Sequence, residues 1–317
     1  MRALPAAALG VGAAILLALP LLVDAYWLRI ATGVLMWAGL ACSWNLVGGY
    51  AGYISFGHSA FFGIGAYATA ILMGRQVGLP FVATIPIGLV AAAAVAGIIG
   101  APTMRLRGSY FAIATWAFAE MLYQLVTVLE ITGGTGGLSL PPFLNEDFFY
   151  YAMLVAALAA YALVWLLCER SRFGFRIKAL RDHEPAAEAL GINTVRVKVQ
   201  AFALSAAIAA VFGSIYAYWV TFIDPPSVLG GAITDQMVVM VLLGGLGNVW
   251  GPALGATLLW LLNRIFWATL GDTTIYIPIL GLIIALVVLF LPNGLVSLIP
   301  RRARGDQGLL MSLIRKL

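Results

Sequence analysis

The chain has 317 residues, of which 62% are hydrophobic and only 10% charged, whereas a soluble domain carries about 25% charged residues. Too few ionic groups remain to clothe a water-facing surface, so the solvent is lipid and residues 1–317 read as one transmembrane domain with no soluble domain attached. The net charge of +5 sits between apolar spans and at the tail, where Lys and Arg set topology, and this excludes nucleic acid as the partner.

Lipid offers backbone groups no partner, so a spanning helix needs ~20 mainly apolar residues. The expected fold is therefore all-α: a polytopic membrane helix bundle of about ten transmembrane or half-spanning segments with broken, Gly-rich helices. In chain order the segments are 6–23, 26–47, 54–73, 81–101, 109–130, 149–167, 199–220, 235–249, 253–270 and 275–291. The first resembles a signal peptide ending at Val23-Asp24-Ala25; its length and the many spans behind it favour a retained helix. Segments 54–73 and 235–249 are interrupted by Gly, His or Asp, which leaves open whether they span fully.

Basic residues cluster in three places: Arg105 and Arg107, the stretch 169–198, and a tail over 300–317 with Arg301, Arg302, Arg304, Arg315 and Lys316. The positive-inside bias puts these in the cytoplasm with both termini, and Arg75 is the one exception. Asp24, Glu146-Asp147, Asp224 and Asp272 fall on the other side. The cytoplasmic loop 169–198 is the long polar stretch of the protein. Within it, Glu184 to Leu190 reads as a short helix ended by Gly191, with Asn193 close behind, and contact with a partner is the natural task for such a helix.

The stretch Asn45-Leu-Val-Gly-Gly-Tyr-Ala-Gly-Tyr-Ile-Ser-Phe-Gly-His-Ser-Ala-Phe-Phe-Gly-Ile-Gly-Ala-Tyr67 sets Asn45, Ser55, His58, Ser59 and Tyr67 among glycines at membrane depth. Polar groups in hydrocarbon must be paired or face water. They are candidates either for lining a substrate path along a broken helix or for tight helix packing through backbone carbonyls. Thr115 and Glu120, in segment 109–130, join the pathway candidates; an intramembrane carboxylate suits a proton relay or a substrate ammonium. Asp235 is expected to cap the start of its span, and Arg264 to snorkel or pair. Leu46-Val-Gly-Gly-Tyr-Ala-Gly52 echoes Leu242-Leu-Gly-Gly-Leu-Gly-Asn248, either as an internal repeat or by chance among 35 glycines.

Catalytic motifs are missing. Gly63-Ile-Gly-Ala-Tyr-Ala68 lies inside an apolar span without the strand a dinucleotide site needs, and Gly133-Gly-Thr-Gly-Gly137 is not followed by Gly-Lys-Ser/Thr. No nucleophile elbow or zinc-protease motif occurs. Cys42 and Cys168 fall in or beside apolar spans without metal or disulfide spacing. The chain is therefore expected to have no catalytic residue, metal or cofactor of its own.

Five further motifs join the Asn45–Tyr67 stretch. They are Arg107-Gly-Ser-Tyr-Phe-Ala-Ile113, Thr132-Gly-Gly-Thr-Gly-Gly137, Ala187-Glu-Ala-Leu-Gly-Ile-Asn193, Leu243-Gly-Gly-Leu-Gly-Asn-Val-Trp-Gly-Pro-Ala-Leu-Gly-Ala256 and Phe290-Leu-Pro-Asn-Gly-Leu295. In this order the chain resembles the permeases of branched-chain amino acid ABC importers, the LivM/LivH type, with LivM the nearer pattern. The resemblance implies a bacterial plasma (inner) membrane protein that moves branched-chain or related hydrophobic amino acids by alternating access. It implies a second homologous permease, two cytoplasmic ABC ATPase subunits that bind ATP and Mg, and an external or periplasmic substrate-binding protein. It also gives the loop helix an ATPase-coupling role carried by Asp182, Glu184, Glu188, Ala189, Gly191 and Asn193, although Leu190 and Gly191 depart from the fuller Glu-Ala-Ala form of the coupling signature. Relatives of the same architecture carry urea or short amides, so the substrate stays open. An ion-coupled secondary transporter working through Glu120 is the alternative from another class.

Overall fold

The computed structural model describes residues 16–74, 77–106, 108–270 and 294–298, with a few isolated positions between the last two. Most of segment 275–291, the basic tail 300–317, Arg75 and Arg107 lie outside the described residues. Residues 16–22 are helical, and α1 then runs Ala25–Asn45 and ends in a wider π-helical turn, Leu46–Tyr50. It is followed by α2 (His58–Met73), α3 (Phe81–Thr103), α4 (Ser109–Val128) and α5 (Glu146–Trp165, prolonged by a π-helical turn, Leu166–Arg170). Two short helices, α6 (Arg172–Asp182) and α7 (Glu184–Ala189), lead into the long α8 (Thr194–Val220). The last described helices are α9 (Pro225–Leu229), α10 (Gly231–Gly244) and α11 (Gly251–Leu270). The architecture is helical, apart from a two-residue antiparallel pairing of Leu138–Ser139 with Phe222–Ile223.

Among the described residues six stretches are long and apolar enough to cross a membrane: Ala25–Tyr50, Phe81–Thr103, Ser109–Val128, Glu146–Arg170, Thr194–Val220 and Pro225–Gly244. Helix α2, at 16 residues, is shorter, and α11 carries Asn263 and Arg264 inside an otherwise apolar run. Two sequence expectations change. Segment 54–73 is helical only from His58, because residues 51–57 form a non-helical linker. Segment 235–249 moves back: the helix begins at Gly231 and stops at Gly244, where Gly245 and Gly247 take positive φ values of 123° and 68°. Asp235 is thus inside α10 and caps nothing. The capping Asp is Asp224, whose carboxylate accepts from the Ser227 amide while Ser227 Oγ accepts from the Asp224 amide, opening α9.

α8 is the axis of the bundle. It lies against α3 and α2 and also meets α1. Lipid tails are as apolar as Leu, so helices in lipid adhere by close fit and shared hydrogen bonds, and α8 supplies both. Ser214 Oγ donates to the Gly65 carbonyl at 3.0 Å, and a Cβ on Gly213 would collide with the Phe62 carbonyl. α1 packs on α5 and α11, tied by Tyr161 Oη to the Ala38 carbonyl at 3.0 Å and Trp260 Nε1 to the Ile30 carbonyl at 3.1 Å.

The bundle has two unlike ends. One holds α6, α7 and the described cations Arg105, Arg170, Arg172, Arg176, Lys178, Arg181, Arg196 and Lys198; it is called the basic end below. The opposite end holds Asp24, Glu130, Glu146, Asp147 and Asp224. There Glu146 accepts from Arg29 at 3.2 Å and from Trp219 Nε1 at 2.9 Å, joining α1, α5 and α8.

Candidate functional site

Two places gather the residues that the sequence singles out. The first is the break between α1 and α2. A π-helical turn shifts the register of α1, and such turns recur at functional sites; here the turn falls on Gly48-Gly49. The Asn45 side chain, fully buried, spans to the second glycine-rich segment. Its Nδ2 donates to the Asn248 carbonyl at 2.9 Å, and its Oδ1 accepts from the Gly247 amide at 3.0 Å. The two segments that echo each other in sequence are therefore bonded neighbours. Trp44 Nε1 donates to the Ser55 carbonyl at 2.8 Å, and Thr115 Oγ1, on α4, accepts from the Phe56 amide at 3.1 Å.

Deeper in the bundle a serine and histidine network joins α1, α2 and α8. Ser205 Oγ donates to the Ser43 carbonyl at 2.6 Å, and Ser43 Oγ donates to the Ser205 carbonyl at 2.9 Å. With the Ser205 hydrogen so used, His58 Nε2 donates to Ser205 Oγ at 2.6 Å, and His58 Nδ1 accepts from Ser55 Oγ at 3.2 Å. Asn45, Ser55, His58, Ser59 and Thr115 are all fully buried. Ser59 gives its amide to Thr234 Oγ1 at 2.8 Å, but Ser59 Oγ and Tyr67 Oη are buried with no hydrogen-bond partner among the described residues.

Glu120 behaves differently. It stands mid-way along α4 with its side chain on the outer surface of the bundle, and accepts from Gln124 Nε2 at 2.7 Å. The sequence locates the carboxylate in the span but gives no indication that it points away from this chain's own core.

The second place is the basic end. α6 was not visible in the sequence as a separate helix, although Ile177 and Leu180 repeat at helical spacing and Ser171 caps it by accepting from the Phe173 amide. α7 matches the helix read from 184 to 190: its cap is His183, and Gly191, at φ 81°, turns the chain out of it. Asn193 caps α8 by accepting from the Arg196 amide at 2.9 Å. The coupling candidates split into two sets. Asp182, Glu188, Ala189 and Gly191 are exposed, and Glu188 accepts from Thr194 Oγ1 at 2.8 Å. Glu184 turns inward, its side chain 14% exposed, and meets Lys198 Nζ at 2.5 Å. Two apolar side chains that sequence reasoning passed over stand out beside the exposed set: Phe175 on α6 and Leu190 after α7, 78% and 81% exposed.

Residues 26–291 match the family described as branched-chain amino acid transport system / permease component. Among curated relatives, the high-affinity branched-chain amino acid transport system permease protein LivM of Salmonella typhimurium is 30% identical across 90% of this chain and 73% of its own. LivM of Escherichia coli K12 is 30% identical across 88% and 72%, and LivH of the same strain 28% across 82% and 91%. No solved structure matches the chain. Helices long enough to cross lipid, a break of glycines where the chain turns back, and this likeness over most of its length agree: the chain is a multi-pass membrane protein and a transport subunit, and it belongs to the family of branched-chain amino acid ABC transporter permease components.

Proposed function

We propose that the chain carries branched-chain or related hydrophobic amino acids inward across a bacterial plasma membrane. It pairs with a second permease of similar fold, two cytoplasmic ATPases that bind ATP and Mg, and an external binding protein. The observation that carries this reading is the exposed α6–α7 surface. Phe175 and Leu190 stand bare on the basic end among Arg172, Arg176 and Glu188, and exposed apolar side chains rimmed by charge mark a protein contact. Placing that end in the cytoplasm obeys the positive-inside bias: eight of the described cations gather there, whereas Arg29 and Arg264 line a common cavity towards the acidic end. Glu120 supports a substrate path along α4, between the two permeases. An ionisable group at mid-span faces protein or a water-filled cavity rather than lipid, and this one has turned away from its own bundle.

The test is reconstitution in vesicles. L-leucine uptake should need ATP, the ATPases and the binding protein together, and the chain alone should be inert with or without an ion gradient. Leu190→Asp should lower ATPase binding and uptake about tenfold, the size of one lost apolar anchor at an interface, while the chain still inserts. Uptake driven by a proton or sodium gradient without ATPases would overturn the proposal.

A further inference from the structure

The linker after α1 is gripped by two triads of the same chemistry. Tyr50 Oη donates to Glu169 Oε1 at 3.1 Å, and Lys178 Nζ donates to Glu169 Oε2 at 2.8 Å. Tyr53 Oη donates to Glu184 Oε2 while accepting from Lys198 Nζ at 2.9 Å, and Lys198 also meets Glu184 Oε1 at 2.5 Å. Both are Tyr–Glu–Lys, both draw the tyrosine from the glycine-rich stretch, and both draw the ion pair from the loop and its flanking helices. Their surroundings differ. The Lys178–Glu169 pair is 42% and 36% exposed, whereas Lys198 is 2% exposed. Its ammonium also donates to the Met104 carbonyl at 3.1 Å and lies 4.5 Å from the Tyr53 ring centre.

We infer that Lys198 is a positioning residue for transport: it fastens α7, the linker 51–57, the end of α3 and the start of α8 into one body, so that a displacement of α7 is delivered to the break in α1. The chemistry supports this directly. A lysine has three hydrogens to donate, and this one finds acceptors on three separate segments, so separating any of them strands a buried charge. In the other triad Tyr50 is buried, but its Lys178–Glu169 pair is open enough to exchange partners for water and yields instead. Arg181 extends the same body: its guanidinium fills the space that a side chain on Gly247 would need and its stem lies against Gly52, so the last residues of α6 touch both glycine segments. Helix α6, packed against α7, thereby reaches the Asn45 junction as well.

This inference rests on the reading of α6–α7 as the ATPase contact, and the experiment separates the two. The full complex is reconstituted with ATP and L-leucine, and leucine moved per ATP hydrolysed is measured. The double variant Lys198→Met, Glu184→Gln keeps shape without charge. It should assemble and hydrolyse ATP, with the ratio reduced about tenfold, within the range that coupling residues command. Tyr53→Phe removes one hydroxyl and should reduce the ratio about two- to threefold; it decides the matter if the double variant does not assemble. Lys178→Met, in the half-exposed ion pair, should leave the ratio near native. A native ratio in the assembled double variant, or in Tyr53→Phe, overturns the inference. If Leu190→Asp leaves ATPase binding unchanged, the contact reading fails instead, whatever the ratios show.

Discussion

Helices α8 and α4 are both apolar, unbroken and long enough to span, yet they hold opposite positions. α8 hides most of its residues, and its neighbours surround it. α4 buries only Phe111, Thr115, Phe118, Ala119 and Val126, and shows Tyr110, Ile113, Trp116, Met121 and Leu125 to the outside. Hydropathy cannot separate a scaffold helix from one awaiting a partner, because lipid and protein interior are equally apolar. What separates them is the kind of small or polar residue each carries and where it points. α8 sets Gly213, Ser205 and Ser214 against backbone carbonyls of other helices; α4 sets Glu120 and Gln124 on a bare face.

The contrast can be broken most forcefully at Gly213. Gly213→Leu drives a side chain into the Phe62 carbonyl, which belongs to a helix and cannot yield. We expect at least ~3 kcal/mol of lost stability, read as loss of the monodisperse peak in detergent. Next comes a matched pair of deletions. Ile215→Ala on α8 removes a side chain that is almost wholly buried and should cost about 2–4 kcal/mol. Ile113→Ala on α4 should stay within about 0.5 kcal/mol; equal melting shifts for the two in thermal unfolding of the isolated chain would erase the distinction. Glu120→Leu should leave that melting point unchanged while lowering leucine uptake by the assembled transporter about tenfold, about 1.4 kcal/mol in the flux barrier. Unaltered uptake would make α4 an ordinary lipid-facing helix. The smallest effect is Ser205→Ala, which removes the shared hydroxyl between Ser43 and His58 and should destabilise by about 1 kcal/mol, typical of hydrogen bonds between helices in lipid.

Much of this was legible in advance, and for a physical reason. Segments 26–47, 81–101, 109–130, 149–167 and 199–220 appear as helices within a few residues of their expected limits, because lipid demands continuous apolar length and the sequence has to display it. The turn out of α7 at Gly191 was equally plain. What escaped were features decided by distant neighbours. α10 begins at Gly231 rather than Asp235 and ends at Gly244, where Gly245 and Gly247 turn the chain, so the carboxylate sets neither limit. Lys198 counts as one more cation in the sequence of a basic loop, and only burial among three chain segments distinguishes it from Lys178. The pairing of the two glycine-rich stretches had a visible echo, but similarity alone could not say that they touch.

The Asn45 amide has a consequence for how the molecule is made. Its two acceptor and donor partners lie 202 and 203 residues further along the chain, so they do not exist when the first helices enter the bilayer. Until they arrive, a carboxamide must wait in the membrane with its hydrogen bonds borrowed from water or another helix. A helix made early therefore settles late, and Gly247 and Asn248 act as the clasp that closes on it.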